Sequence, residues 1–308
     1  MHEFDYRESV ALEEVPVLDA VALGERILEA VRGGWRVLAY FGLPEAGADA
    51  GADSDKPRAG LCCVLAHDEA RLLAAGRTAP LTVFPSLAEA CPQVQLFERE
   101  IHEEWGILPE GHPWLKPVRR SPDAPGAGGR DFYRVDGSEV HEVAVGPVHA
   151  GIIEPGHFRF QCYGEIILHL EIALGYQHRS LMELLRPQAA ARPVAALRLA
   201  ECAAGDSSVA HATALCVLRE RLLGLGELTE RIQRLRRVGL ELERLANHCG
   251  DLGAIAGDTG FLPTSSWNGR IRGDFLNLTA AICGNRFGRG LLAHGGVAGS
   301  LSPDDCAD

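Results

Sequence analysis

A chain of 308 residues, 46% hydrophobic and 23% charged, is long enough for two domains with a buried core in each. Its net charge of −12 argues against binding a phosphate backbone, which needs clustered Lys and Arg. No run of about 18 apolar residues is present to span a membrane. The acidic start "MHEFDYRESV" also lacks the layout of a signal peptide, so a cytoplasmic chain is expected.

In chain order, the first expected element is a helix near Leu18 to Arg32. Two strand-like runs follow, "WRVLAYFGL" and "LCCVLAH", separated by an acidic Gly/Ala-rich excursion from Pro44 to Gly60. The second run carries Cys62 and Cys63. The nine cysteines include no C-x-x-C, and in a cytosolic chain they are expected to be reduced and mostly buried. An amphipathic segment from Ser86 to Trp105 completes a small α+β domain over residues 1–120. The breaker-rich "SPDAPGAGGR" lies in a linker, 121–141, and a second domain spans 142–308. There "FRFQCYGEIILHLEIALG" alternates as a hairpin with its turn at Tyr163–Gly164. The remainder reads as helices around Tyr176–Leu185, Ser207–Leu223, Glu227–Ala256 and Gly269–Cys283. In the third, Leu235, Val238, Leu242 and Leu245 recur at spacings of three and four. The basic run "ERIQRLRR" sits at helical spacing among leucines and reads as a solvated or subunit-contacting face.

Three segments carry a family resemblance. "FEREIHEEWGILPEGHPWLKPVR", Phe97 to Arg119, is similar to the signature F-x-R-E-x-x-D-x-x-G-I-x-F-x-G-H-P of the 30-kDa-type subunit of respiratory complex I. Glu103 or Glu104 stands near that family's Asp. "GPVHAGIIEPGHFRFQCYGEIILHLEIALGYQHRSLMELL", Gly146 to Leu185, resembles the opening of the large subunit of membrane-bound [NiFe] hydrogenases. It equally resembles the homologous quinone-site (49-kDa-type) subunit of complex I. "VGLELERLANHCGDLGAIAGDTGF", Val238 to Phe261, is similar to the long helix E-L-x-R-L-x-x-H of the same family. Order and spacing thus resemble a 30-kDa-type domain fused ahead of a large-subunit domain, as in formate-hydrogenlyase-type hydrogenases. The implied fold is α+β, with a β-hairpin and a mainly α-helical bundle after the first domain.

The resemblance gives special weight to "ECAAGDSSVAH", Glu201 to His211. In the hydrogenases this segment reads E-R-x-C-G-x-C-S-x-x-H, and its thiolates, with two from a C-terminal C-x-x-C, hold nickel and iron. Here Ala204 and Ser207 stand where those cysteines belong, and Cys202 takes the arginine position. Soft thiolates suit such a centre; a methyl group cannot ligate and a hydroxyl stays protonated near neutral pH. No metal is therefore expected. The segment reads instead as a helix start with Asp206 or Ser207 as N-cap and His211 on the first turn. Cys306 follows Asp305 without the partner of a closing C-x-x-C, so a four-thiolate centre is not expected. The quinone-contacting tyrosine found in the complex I family is matched by Gly205.

The remaining polar candidates are His149, Glu154, His157, His178, His211, His248 and Asp258. Glu154 and His157 form the favoured proton-relay pair, since a buried carboxylate beside an imidazole can pass protons near neutral pH. Glu241 and Arg244 are spaced for an intrahelical pair. The resemblance implies a subunit of an oxidoreductase complex of the NADH:quinone oxidoreductase or energy-converting hydrogenase type. It implies an iron–sulfur small subunit and membrane-arm subunits as partners, with peripheral placement on the inner face of the membrane and no cofactor on this chain. The alternatives are a fragment of a genuine [NiFe] hydrogenase and a non-catalytic assembly paralogue.

Overall fold

The computed structural model describes residues 1–44, 59–118, 132–148 and 155–299. The chain divides into two compact units, Met1–His178 and Arg179–Asp308.

The first unit begins with strands β1 (His2–Asp5) and β2 (Val17–Leu18) and helix α1 (Ala20–Arg32). Asp19 caps α1 by accepting a hydrogen bond from the Ala22 amide at 2.8 Å, so the helix starts just after the expected Leu18. Strands β3 (Arg36–Pro44), β4 (Ala59–His67) and β5 (Leu72–Thr78) follow. The sheet order is β1-β5-β4-β3, with β2 alongside β5 in parallel. The two strand-like runs pair antiparallel around the Pro44–Gly60 excursion, most of which lies outside the described residues. As the central strand, β4 is buried along nearly its whole length, Cys62 and Cys63 included. Its Leu61 and Leu65 meet Leu23 and Ile27 of α1 in the core.

Strand β6 (Val83–Pro85), helix α2 (Gln95–Trp105) and strand β7 (Leu108–Glu110) come next, β6 and β7 pairing in parallel. Helix α2 stops at Gly106, whose φ of 68° is left-handed. Gly42 is required on β3: a Cβ there would overlap the Trp105 indole.

Strands β8 (Val140–Val145), β9 (His157–Tyr163) and β10 (Ile166–Ala173) form an antiparallel sheet ordered β10-β9-β8. Tyr163 pairs with Ile166, which puts the hairpin turn at Gly164–Glu165, one residue later than expected. The reason is Gly164, whose φ of +58° supplies the left-handed first position. Register sorts this sheet into two faces. Val143, Phe160 and Leu170 share one row of the apolar face, and Val145, Phe158 and Ile172 the next. Glu142, Arg159, Gln161 and Glu171 share the other face.

The second unit holds α3 (Leu181–Ala191), α4 (Pro193–Glu201), α5 (Ser208–Leu222), α6 (Glu230–Asp258) and α7 (Leu262–Cys283). A small ribbon of β11 (Leu292–Ala293) and β12 (Gly296–Val297) closes the described part. Three helices depart from expectation, one of them α4, which was not expected at all. Of the others, α3 starts at Leu181 rather than Tyr176, and α7 starts at Leu262 rather than Gly269, with Pro in its first turn. Leu197, Val209, Ala212, Cys216, Ile282 and Leu291 form the core.

Candidate functional site

The segment 201–211 runs from the last residue of α4 to the first turn of α5, and contacts from outside it hold it in place. Glu201 is buried, and its carboxylate accepts from Arg198 at 2.8 and 3.0 Å and from the Gly290 amide at 2.7 Å. Its carbonyl accepts the Ser208 hydroxyl at 3.0 Å. Arg179 donates to the Ala203 carbonyl at 2.9 Å, and the Asn247 amide donates to the Asp206 carbonyl at 2.8 Å. The loop is therefore fixed at both ends and in its middle.

Ser207 does occupy the N-cap position of α5, but its side chain caps nothing. Glu243 of α6 does so instead. Its two carboxylate oxygens accept the Val209 and Ala210 amides at 2.7 and 2.9 Å, satisfying two of the donors that every helix leaves open at its start. Burial pushes the Glu243 carboxyl up from the ordinary 4.5, and those two amides oppose the rise. Sequence reading missed this residue, because a partner 34 positions away has no local signature.

Ala204 and Ser207 thus sit on a well-held turn, with Cys202 exposed beside them. His211 lies on the first turn of α5 as expected; it is exposed, and its Nδ1 donates to the Ser207 carbonyl at 2.8 Å. Cys216 is fully buried further along α5, and burial raises its thiol to about 11, so it remains a neutral packing group. Among the described residues, no three His, Cys, Asp or Glu side chains come together in a way that could hold a metal ion. Asp258 and His248 lie on α6, and Asp258 ends that helix roughly 16 Å beyond Asn247 by helical rise. The Glu241–Arg244 ion pair is formed on the exposed side of α6.

The remaining candidates belong to the first unit. His157 lies on the polar face of β9, with Nδ1 3.2 Å from the Gly146 carbonyl and its ring 5.3 Å from that of Phe132. His178 is exposed. His149 and Glu154 lie outside the described residues, and with them the expected Glu154–His157 relay.

The described part of the signature segment, residues 97–118, fastens the chain to itself. Glu98, fully buried, accepts the Ser86 hydroxyl at 2.5 Å and the Leu87 amide at 2.7 Å; burial raises its carboxyl, against those bonds and nearby His112. His112 is held through both ring nitrogens. The Trp114 amide donates to its Nδ1 at 3.0 Å, and its Nε2 lies 3.2 Å from the Gln95 carbonyl. Arg99 donates to the carbonyls of Lys116 and Pro117 at 2.5 and 3.3 Å and stacks 4.7 Å from the Trp114 ring. Glu103 accepts the Val118 amide at 2.7 Å. One face of α2 therefore clamps the strand of chain that leaves the domain. That strand is tied onward, Lys116 forming an ion pair with Glu171 of β10.

Residues 46–138 match the family of the respiratory-chain NADH dehydrogenase 30 Kd subunit. Over 244 residues the chain is 30% identical to formate hydrogenlyase subunit 5 of Escherichia coli (strain K12), covering 72% of this chain and 42% of that protein. It is 29% identical over 239 residues to hydrogenase-4 component G of the same organism, covering 70% and 42%. The fused C/D protein of the NADH-quinone oxidoreductase of Phocaeicola vulgatus is 25% identical over 256 residues, covering 71% and 48%. The chain spans less than half the length of these relatives. It carries a 30-kDa-type domain and is homologous to the fused 30-kDa/large-subunit proteins of energy-converting hydrogenases and complex I-type oxidoreductases.

Proposed function

We propose that this chain is a subunit of a membrane-associated oxidoreductase complex, docks an iron–sulfur small subunit, and holds no nickel–iron centre of its own. The observation that carries the reading is the helix start at 201–211. Its backbone is secured by Glu201, Glu243 and Asn247, yet Ala204 and Ser207 offer no soft donor. Thiolates hold nickel and iron through changes of redox state, and a methyl and a neutral hydroxyl do not replace them. Electron transfer would then run through clusters on partner subunits, with this chain supplying shape and docking faces. The apolar rows of the β8–β10 sheet suit such a role.

Placement on the membrane would come through partners, since among the described residues no helix is long and apolar enough to cross it. His157 is the described member of the proposed proton relay.

Affinity purification of the tagged chain from its native cells tests this reading. Co-purification of an iron–sulfur protein and membrane-arm subunits, with no nickel bound to this chain, is the expected result. Isolation alone, or stoichiometric nickel on this chain, would refute it.

A further inference from the structure

We infer that the α6–α7 hairpin is half of a four-helix bundle, and that a second copy of this chain supplies the other half. The two helices run antiparallel, with Gly250, Gly253 and Gly257 of α6 against Arg272, Asn268 and Ser265 of α7. A second row runs along each helix at spacings of three, four or seven: Leu245, Cys249 and Leu252 on α6, and Trp267, Ile271 and Leu278 on α7. Each row lies roughly a third of a turn from its own helix's contact row, in the same rotational sense. In an antiparallel pair both rows then open to one side. The contact register sets Leu245 level with Leu278, and Leu252 level with Ile271. This joint face is open: Leu252 is 57% exposed, Trp267 61% and Leu278 42%, with Leu245, Cys249 and Ile271 half-buried. The other side of α6 is occupied, because Leu240 packs on the core and Glu243 holds the start of α5.

Charge and area both favour a second copy as the occupant. An exposed ion pair edges each row, Glu241 with Arg244 on α6 and Arg270 with Asp274 on α7. The edges therefore balance, although the chain as a whole carries −12. A strongly acidic or basic partner would meet no complementary field on such a face. A two-fold copy brings edges of the same balanced kind, and each arginine can then face an acid across the seam. It also brings two antiparallel helices of matching length, which are what the open bundle lacks. The 22 residues of α7 make the face about 33 Å long, and two helices roughly 8–10 Å apart make it about 20 Å wide. Pairing would then cover roughly 650 Å² on each copy, about 1,300 Å² in all, above the ~1,000 Å² that a specific interface needs. The inference stands apart from the subunit reading and holds for the isolated chain.

Sedimentation velocity of the full chain, from about 1 to 100 µM, tests it. A dimer that dissociates on dilution is expected. Leu252→Glu and Trp267→Glu each place a charge in the seam twice per dimer, so each should raise the dissociation constant about a hundredfold or more. Both side chains are more than half exposed in the single chain, so the helicity of the diluted variants should match that of the wild type. Ile172→Glu, on the apolar face of β10, should leave the dimer intact. Monomers at every concentration would assign the face to a different protein and overturn the proposal. A dimer broken by Ile172→Glu and unmoved by both helix variants would overturn it as well.

Discussion

Two acids of the helical unit, Glu220 buried and Glu243 half-buried, respond to pH in opposite directions, and each reports on a different piece of the scaffold. Glu243 has its carboxyl raised by burial, so its folded-state value exceeds the unfolded 4.5. The stability it contributes is complete below about pH 4.5 and is lost as pH rises through the folded value. Glu220 is the reverse case. Burial pushes it up, but the Arg236 fork and the Gly295 amide outweigh burial and hold it below 4.5. Its contribution is present above 4.5 and is lost as pH falls through the depressed value. Urea midpoints measured across about pH 3 to 7 should therefore show the wild type gaining on Glu243→Gln towards acid, and gaining on Glu220→Gln towards neutrality. Magnitudes also separate them. Glu243→Ala removes a helix cap and should cost about 1–2 kcal/mol at neutral pH. Arg236→Met strands a buried carboxylate and should cost about 3–5 kcal/mol by the same denaturation. Only part of this was legible in the sequence. Ala204 and Ser207 are read directly from the sequence, and their weight as replaced thiolates rests on the family resemblance. Glu243 and the Glu220–Arg236 pair act across 34 and 16 positions, where neither periodicity nor local capping rules reach.

At the scale of elements, α6 and α7 approach through glycine. Gly250, Gly253 and Gly257 recur at spacings of three and four along α6. They face Arg272, Asn268 and Ser265 of α7 respectively. A Cβ at 253 would lie 3.3 Å from that of Asn268 and 3.4 Å from the Ser265 carbonyl, so a methyl just fits if α7 yields slightly. Ala gains about 1 kcal/mol of helix propensity over Gly, and the tight contact takes back a similar amount. Gly253→Ala should leave thermal stability within about 1 kcal/mol of wild type. Gly253→Leu has no room and should cost about 1–3 kcal/mol or more by forcing the helices apart. The long helix was readable because its leucines hold the helical period over many turns. The start of α7 was not, since "LPTSSWNG" has no such period, and Pro263 at the first turn was its only marker. The hairpin turn slipped by one because Tyr163–Gly164 and Gly164–Glu165 fit the alternation equally, and only the backbone sign at Gly164 distinguishes them.

For the molecule as a whole, the 30-kDa-type signature acts as a fastening of the chain that leaves the first sheet. Its motif was legible in the sequence, while its purpose needed the partners: Ser86, Gln95, Trp114, and the carbonyls of Lys116 and Pro117. Each contact of α2 has its own part in that fastening. Glu98 and His112 meet in a dry interior, Arg99 collects two carbonyls, and Glu103 takes the Val118 amide. Lys116 then passes the restraint to Glu171, which also accepts the Tyr133 amide at 2.9 Å on the second sheet. Local opening free energies follow such restraints more than they follow global stability. Arg99→Gln and Glu103→Gln should therefore speed amide hydrogen exchange at Val118 and Tyr133 by about tenfold or more, roughly the worth of one charge-assisted bond. Exchange in β4, whose amides pair with β3 and β5 inside the core, should change little. Equal acceleration in β4 would show that the signature supports the first core itself and does not fasten the departing chain.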